Sequence, residues 1–349
     1  MELFTPVTVN NQVVKNRVVF PPIVNFGWSD TEGMVSQRHI NHYEARAKGG
    51  AGLIIVEASC VQQDGKIFSY QLGIWDDKHI EGLSKITNAC HKYGSKILIQ
   101  LHHAGLLTRK AVSKVAWGPS ADADNERSKA MSLEQVKVLT KNFILAAKRA
   151  YQAGFDGIEL HGAHGYLLNQ FTNEAINCRT DEYGGSFENR LRLPIEIIKG
   201  IKAEVPSNFI IDYRMAGCTP TLSEGIEMAK LLEQSGVNLL HVSHGGSKGI
   251  NPEVPSGFGF NSIVYMGTEV KKHVRVPVIV VNQIKLPEDA NSLIKNGQAD
   301  MVAIGRDQLT DAEWAIKAQQ GEDIIHCINC EPRCKRFTKP ESCPLYNEF

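Results

Sequence analysis

The stretch GFDGIELHGAHGYLLNQF, residues 154–171, runs from an apolar segment straight into two histidines and a tyrosine. Its first half has few polar side chains and no alternation, the pattern of a strand covered on both faces. Its second half puts His161, His164 and Tyr166 within six positions at the strand's end. Alone, such an end can be purely structural, with the imidazoles bonded to nearby carbonyls. Its meaning depends on how many similar strands the chain holds and where their ends converge.

Seven further runs have the same character: VVFPPI (18–23), LIIVEAS (53–59), KILIQLH (96–102), FIIDYRM (209–215), LLHVSHG (239–245), PVIVVNQ (277–283) and MVAIGRD (301–307). With GIELHG (157–162) they make eight strand candidates, separated by amphipathic stretches such as SLEQVKVLTKNFILAAKRAYQAG (132–154). Eight parallel strands alternating with helices close a (β/α)8 TIM barrel. A doubly wound open sheet is the alternative, but no GxGxxG turn follows an early strand. The expected organisation is a barrel over residues 1–320 and a short cysteine-rich extension over 321–349.

With 38 basic and 38 acidic side chains in 349 residues, the chain has no general electrostatic attraction for nucleic acid or an anionic membrane. Its N-terminus lacks the pattern of a signal peptide, and no apolar run is long enough to span a bilayer, so a soluble, cytoplasmic protein is expected. Self-association into a homo-oligomer stays open. Of eight cysteines, Cys327, Cys330, Cys334 and Cys343 crowd the last 23 residues. In a reducing compartment such crowding suggests metal rather than disulfides.

In a barrel the active site lies at the C-terminal ends of the strands. Those ends carry Pro21, Pro22 and Ile23; Glu57, Ala58 and Ser59; Gln100 and His103; His161, His164 and Tyr166; Arg214; Ser243 and His244; Asn282 and Gln283; Gly305 and Arg306. All are expected to converge on one mouth. The set is rich in imidazole, amide and guanidinium donors and poor in carboxylates, which suits an anionic or carbonyl-bearing ligand better than two-carboxylate glycoside hydrolysis.

Over nearly its full length the chain resembles the old yellow enzyme family of flavin-dependent ene-reductases. The resemblance rests on LFTPVTVNNQVVKNRVVFPPI (3–23), VEASCVQQDGKI (56–67), ILIQLHHAG (97–105), the arginine of the fifth strand and the IGR of the eighth. Its most specific piece is HGAHGYLLNQFTNEAINCRTDEYGGSFENRLRLPIEII (161–198). It implies that Pro21, Pro22, Ile23 and Val24 line one side of an FMN ring, that Ala58 and Gln100 meet the ring edge, and that Arg214 lies near N1, where a cation stabilises the charge of reduced flavin. Gly305 and Arg306 match the phosphate contact. His161 and His164 would hold the carbonyl oxygen of an α,β-unsaturated substrate, and Tyr166 would deliver a proton to its α-carbon. NAD(P)H is the implied reductant.

Two departures from the family pattern stand out. Val24 and Phe26 occupy positions where some relatives have cysteine and tyrosine, so this side of the pocket is expected to be more apolar. Asn282-Gln283 replaces a Gly-Gly phosphate turn, which looks more like the 2-enoate reductase and 2,4-dienoyl-CoA reductase branch. CINCEPRCKRFTKPESC (327–343) resembles the iron-sulfur segment of that branch, with a shortened last gap. Four thiolates suit a [4Fe-4S] cluster, and zinc is the alternative. Electrons would reach the flavin from NAD(P)H directly, from a flavoprotein or ferredoxin-like partner docking near the tail, or through further domains if the chain is a fragment. The reading is an ene-reductase acting on a small unsaturated carbonyl compound. An electron-transfer subunit with a structural His161, His164 and Tyr166 is the runner-up, and a hydrolase with structural zinc would be colourless. The loops at 106–132 and 245–260 are polar and glycine-bearing, as substrate-facing loops often are.

Overall fold

The chain opens with an antiparallel hairpin, β1 (Val7–Val9) and β2 (Gln12–Val14), turned by Asn10 and Asn11 at φ 46° and 62°. Asparagine tolerates this left-handed conformation better than most residues. The barrel follows: β3 (Val18–Phe20), β4 (Leu53–Cys60) and β5 (Lys96–His102), then, beyond a short pair β6 (Ala116–Gly118) and β7 (Ser128–Ala130), β8 (Gly157–Gly162), β9 (Ile210–Ala216), β10 (Leu239–Ser243), β11 (Val278–Val281) and β12 (Met301–Ala303). In this computed structural model, which describes residues 1–246, 249–331, 334, 336 and 339–346, β3-β4-β5-β8-β9-β10-β11-β12 form a closed barrel. Every neighbouring pair is parallel, and β12 returns to β3. The eight apolar runs are the eight barrel strands.

Each strand is covered by helix, and local chemistry sets the helix ends. Helix Leu133–Gln152 starts at Ser132, whose side chain accepts from Gln135 N while the Gln135 side chain accepts from Ser132 N, a reciprocal cap for otherwise unpaired N–H groups. Val136, Leu139, Phe143, Ala146, Ala147 and Ala150 form its buried stripe. Among the described residues, no helix is long and apolar enough to cross a membrane.

The lumen is layered because side chains two apart on a strand share a face. Its lowest level is apolar: Leu98, Ile210, Leu239, Ile279 and Met301 pack with Val9 and Val14. The hairpin plugs this end, where Gln12 donates to Asp156 O and Asn208 O and Asn10 donates to Ser207 O and Phe209 O. Two residues further along come Gln100, Glu159, Asp212 and His241, all buried. The next step brings His102, His161, Arg214 and Ser243 to the C-terminal rim. Beyond helix Trp314–Gln320 the described residues contain no further α-helix or strand.

Candidate active site

Every residue assigned above to flavin or substrate lines one cavity of about 520 Å³ at the C-terminal end of the barrel, a volume usual for small-molecule and cofactor sites. Pro21 and Pro22 end β3, since proline lacks the N–H that would continue the ladder, and with Ile23, Val24 and Phe26 they give one apolar wall. Phe26 is fixed against Phe68, with ring centroids 4.0 Å apart. Ala58 and Gln100 lie deeper, and Gln100 donates to Glu159.

Arg214 is 8% exposed, and its Nε has no partner among the described residues. Burial lowers its pKa, while Glu159 and Asp212 oppose that shift. A buried cation in the wall of a cavity calls for an anionic partner. At the end of β12, a Cβ on Gly305 would make only ordinary contact, 3.5 Å from Pro21 and 3.6 Å from Ile23. Its missing side chain therefore leaves backbone open to a ligand rather than relieving a clash. Asn282 and Gln283 have φ of 106° and 56°, so the turn adopts the left-handed conformation that glycine takes freely. For Gln283 this is a strained conformation of the kind found at ligand clamps. These features fit FMN.

On the opposite side, His161 Nε2 lies 2.8 Å from His164 Nδ1, and His164 Nε2 lies 2.8 Å from Ser243 Oγ. His102 Nδ1 is 3.0 Å from His161 Nδ1. Burial, the first cause in each case, and nearby cationic or imidazole groups hold the pKa of His161 and His164 well below the ordinary value, and burial takes His102 to about 3. All three rings are neutral at physiological pH. Tyr166 caps helix Leu167–Thr172, its ring edge-on to His161 and His102. Burial raises its pKa, so its phenol keeps its proton.

Part of the expected mouth lies elsewhere. A register irregularity in β4 between Val56 and Ser59 turns Glu57 under the loop after β3. There it accepts from Asn25 N and Asn25 Nδ2, at 2.9 Å each, and from Tyr43 at 3.3 Å. Ser59 donates to Glu57 O, and His103 accepts from Gly105 N, so neither lines the cavity. Ser243 reaches the site only through His164. Cys334, expected only as a metal ligand, lines this cavity too, and His102 and the cavity-lining Ile67, Lys285 and Asp307 were not anticipated. His102 was legible, standing two residues beyond Gln100 on the same strand face; the others carry no local signal.

The four clustered cysteines border one small second cavity together with Arg306 and Arg336. Arg306 and Cys334 border the large cavity as well. Asp307 ties the segment to the barrel, accepting from Cys327 N at 3.1 Å and lying 2.6 Å from His326 Nδ1. Arg336 is 5% exposed, and its guanidinium lies beside Cys343 and Cys334. Among the described residues, no three thiol sulfurs lie within 4.8 Å of one another. Zinc at about 2.3 Å from each sulfur would draw them closer than that.

Residues 2–324 match the NADH:flavin oxidoreductase / NADH oxidase family. A NADH oxidase of Thermoanaerobacter brockii is 41% identical over 348 residues, 95% of this chain and 53% of that protein, so the chain spans about half the length of that relative. A NADPH dehydrogenase of Bacillus subtilis (strain 168) is 39% identical over 326 residues, 91% of this chain and 94% of that protein. The solved structure of an old yellow enzyme homologue from Zymomonas mobilis superposes with a TM-score of 0.81 at 26% identity, covering 94% of this chain and 95% of that one. Since the family match runs through all eight barrel strands and the cavity they surround, the chain belongs to the NADH:flavin oxidoreductase / NADH oxidase family, that of old yellow enzyme.

Proposed function

We propose that the protein is an FMN-dependent ene-reductase that reduces the activated C=C bond of a small α,β-unsaturated carbonyl compound with electrons from NAD(P)H. The observation that carries this reading is the convergence of Arg214, His161, His164 and Tyr166 on one cavity. Bound FMN would supply hydride from its reduced N5 to the β-carbon. Arg214 would stabilise charge at the N1 edge of the ring. Pro21, Pro22, Ile23 and Val24 would keep water from one side of it, and Asn282, Gln283, Gly305 and Arg306 would hold its phosphate. A substrate carbonyl oxygen would break the bond between His161 and His164 and take an N–H from each, polarising the double bond. Tyr166 would then protonate the α-carbon.

The test is anaerobic turnover of the FMN-loaded protein with NADH or NADPH and 2-cyclohexenone. Tyr166→Phe is expected to retain FMN and its reduction by nicotinamide while slowing reoxidation by the enone about 10²- to 10⁴-fold. No enone turnover without an added protein partner would instead support the electron-transfer subunit.

For the tail we propose a [4Fe-4S] cluster on Cys327, Cys330, Cys334 and Cys343, with Arg336 balancing its negative charge. Because Cys334 borders both cavities, electrons held there would lie beside the flavin site. A flavoprotein or ferredoxin-like donor would dock at this side.

A further inference from the structure

His102 has no part in the scheme above, yet it ends a chain of three imidazoles: His102 Nδ1 to His161 Nδ1 at 3.0 Å, His161 Nε2 to His164 Nδ1 at 2.8 Å, and His164 Nε2 to Ser243 Oγ at 2.8 Å. A neutral imidazole carries one N–H. Each contact needs one hydrogen, so the first choice dictates the rest, and the chain runs wholly towards Ser243 or wholly away from it.

The far end of His102 separates the two. Its Nε2 is buried without a partner among the described residues. If the chain runs away from Ser243, that nitrogen carries a stranded N–H. If it runs towards Ser243, the nitrogen is a bare acceptor, and the hydroxyl rotates to turn its own hydrogen elsewhere. Stranded buried N–H groups are rarer than under-satisfied acceptors. The favoured pattern is therefore N–H at Nδ1 of His102 and at Nε2 of both His161 and His164.

We infer that His102 is a positioning residue that donates to His161 Nδ1 and so holds His161 and His164 in the tautomer with both Nε2–H groups available to a ligand oxygen. The inference rests on the ene-reductase reading for what the pair grips, though the tautomer stands apart from it. His102 also packs edge-on against Tyr166, centroids 4.5 Å apart and planes at 81°, so one side chain orients both the oxygen clamp and the proton donor.

The test uses FMN-loaded protein with ¹⁵N-labelled histidine and 4-hydroxybenzaldehyde as probe, its phenolate oxygen standing in for a substrate enolate. NMR of the wild type should show the Nε2–H tautomer at His161 and His164. His102→Leu should keep its FMN and bind the probe about tenfold more weakly, the effect of losing one hydrogen bond. His102→Asn, which restores a donor near the Nδ1 position, should recover most of that affinity. An Nδ1–H tautomer at His161, wild-type affinity in His102→Leu, or equal loss in His102→Leu and His102→Asn would each overturn the inference, the last by reducing His102 to packing. If the wild type does not bind the probe, the carbonyl-clamp reading fails, and the tautomer spectrum still decides the role of His102.

Discussion

Glu159 and Asp212 stand opposite one another in the register of β8 and β9, sealed in the lumen one level below His161 and Arg214. Neither oxygen of Asp212 receives a hydrogen bond from the described residues, so its contact with Glu159 is a bond only while Asp212 keeps its proton. Burial and the neighbouring Glu159 both raise the Asp212 pKa. Glu159 moves the other way: His241 at 2.7 Å and Arg214 outweigh the burial that would raise it. The pair carries one proton and one negative charge beneath the Arg214 cation.

Asp212→Asn, whose amide can still donate to Glu159, is expected to stay within about 1 kcal/mol of wild type. Asp212→Leu should cost about 1–3 kcal/mol by stripping a buried carboxylate of a donor. Urea unfolding of FMN-loaded protein checks both, and equal stability of the two variants would mean that the carboxyls share no proton.

Stability should fall on acidification from pH 7.5 to 5.5. Eight described histidines, His39, His42, His102, His103, His161, His164, His241 and His244, have pKa values lowered by burial, with His39 and His103 at about 4. Below about 6.5 the unfolded chain takes up protons that these buried rings refuse, at up to about 1.4 kcal/mol per group per pH unit. Glu57, raised by burial to about 7, and Asp212 act oppositely, since the native state keeps protons that the unfolded chain releases. The histidines outnumber them, so the urea midpoint should drop. A flat or rising midpoint would show that the rings are not held neutral.

At the Asn282-Gln283 turn, Gln283→Gly should stabilise the protein by about 0.5 kcal/mol, because relief of left-handed strain exceeds glycine's added freedom when unfolded. Gln283→Val should lose at least about 1 kcal/mol, since a β-branched residue fits φ near 56° worse than glutamine does. Thermal unfolding with and without FMN measures both, and the FMN-loaded protein should show the larger difference if the turn grips the phosphate.

Protein purified without oxygen should contain about four irons and four sulfides per chain. Cys330→Ser should lose them while retaining FMN, because Cys330 borders the small cavity and not the large one. Stoichiometric zinc in place of iron would give the tail a structural role and remove the electron-relay proposal.

The sequence by itself determined the barrel and named many of the residues that line its cavity. A strand buried on both faces must be apolar throughout, so eight such runs were legible as strands, and the barrel rule sends their C-terminal ends to a common rim. Period two along each strand even encodes the lumen levels, from Leu98 to Gln100 to His102. The tertiary structure alone decided which rim residues face the cavity. The irregularity in β4 turns Glu57 and Ser59 away, and the bond between His161 and His164 continues to His102 and Ser243, which lie 59 and 79 residues from their partners. It also set the cysteine cavity against the flavin cavity through Cys334 and Arg306. Local composition fixes the face a side chain prefers. A hydrogen bond needs a partner at about 3 Å, and between distant segments only the closed barrel brings one there.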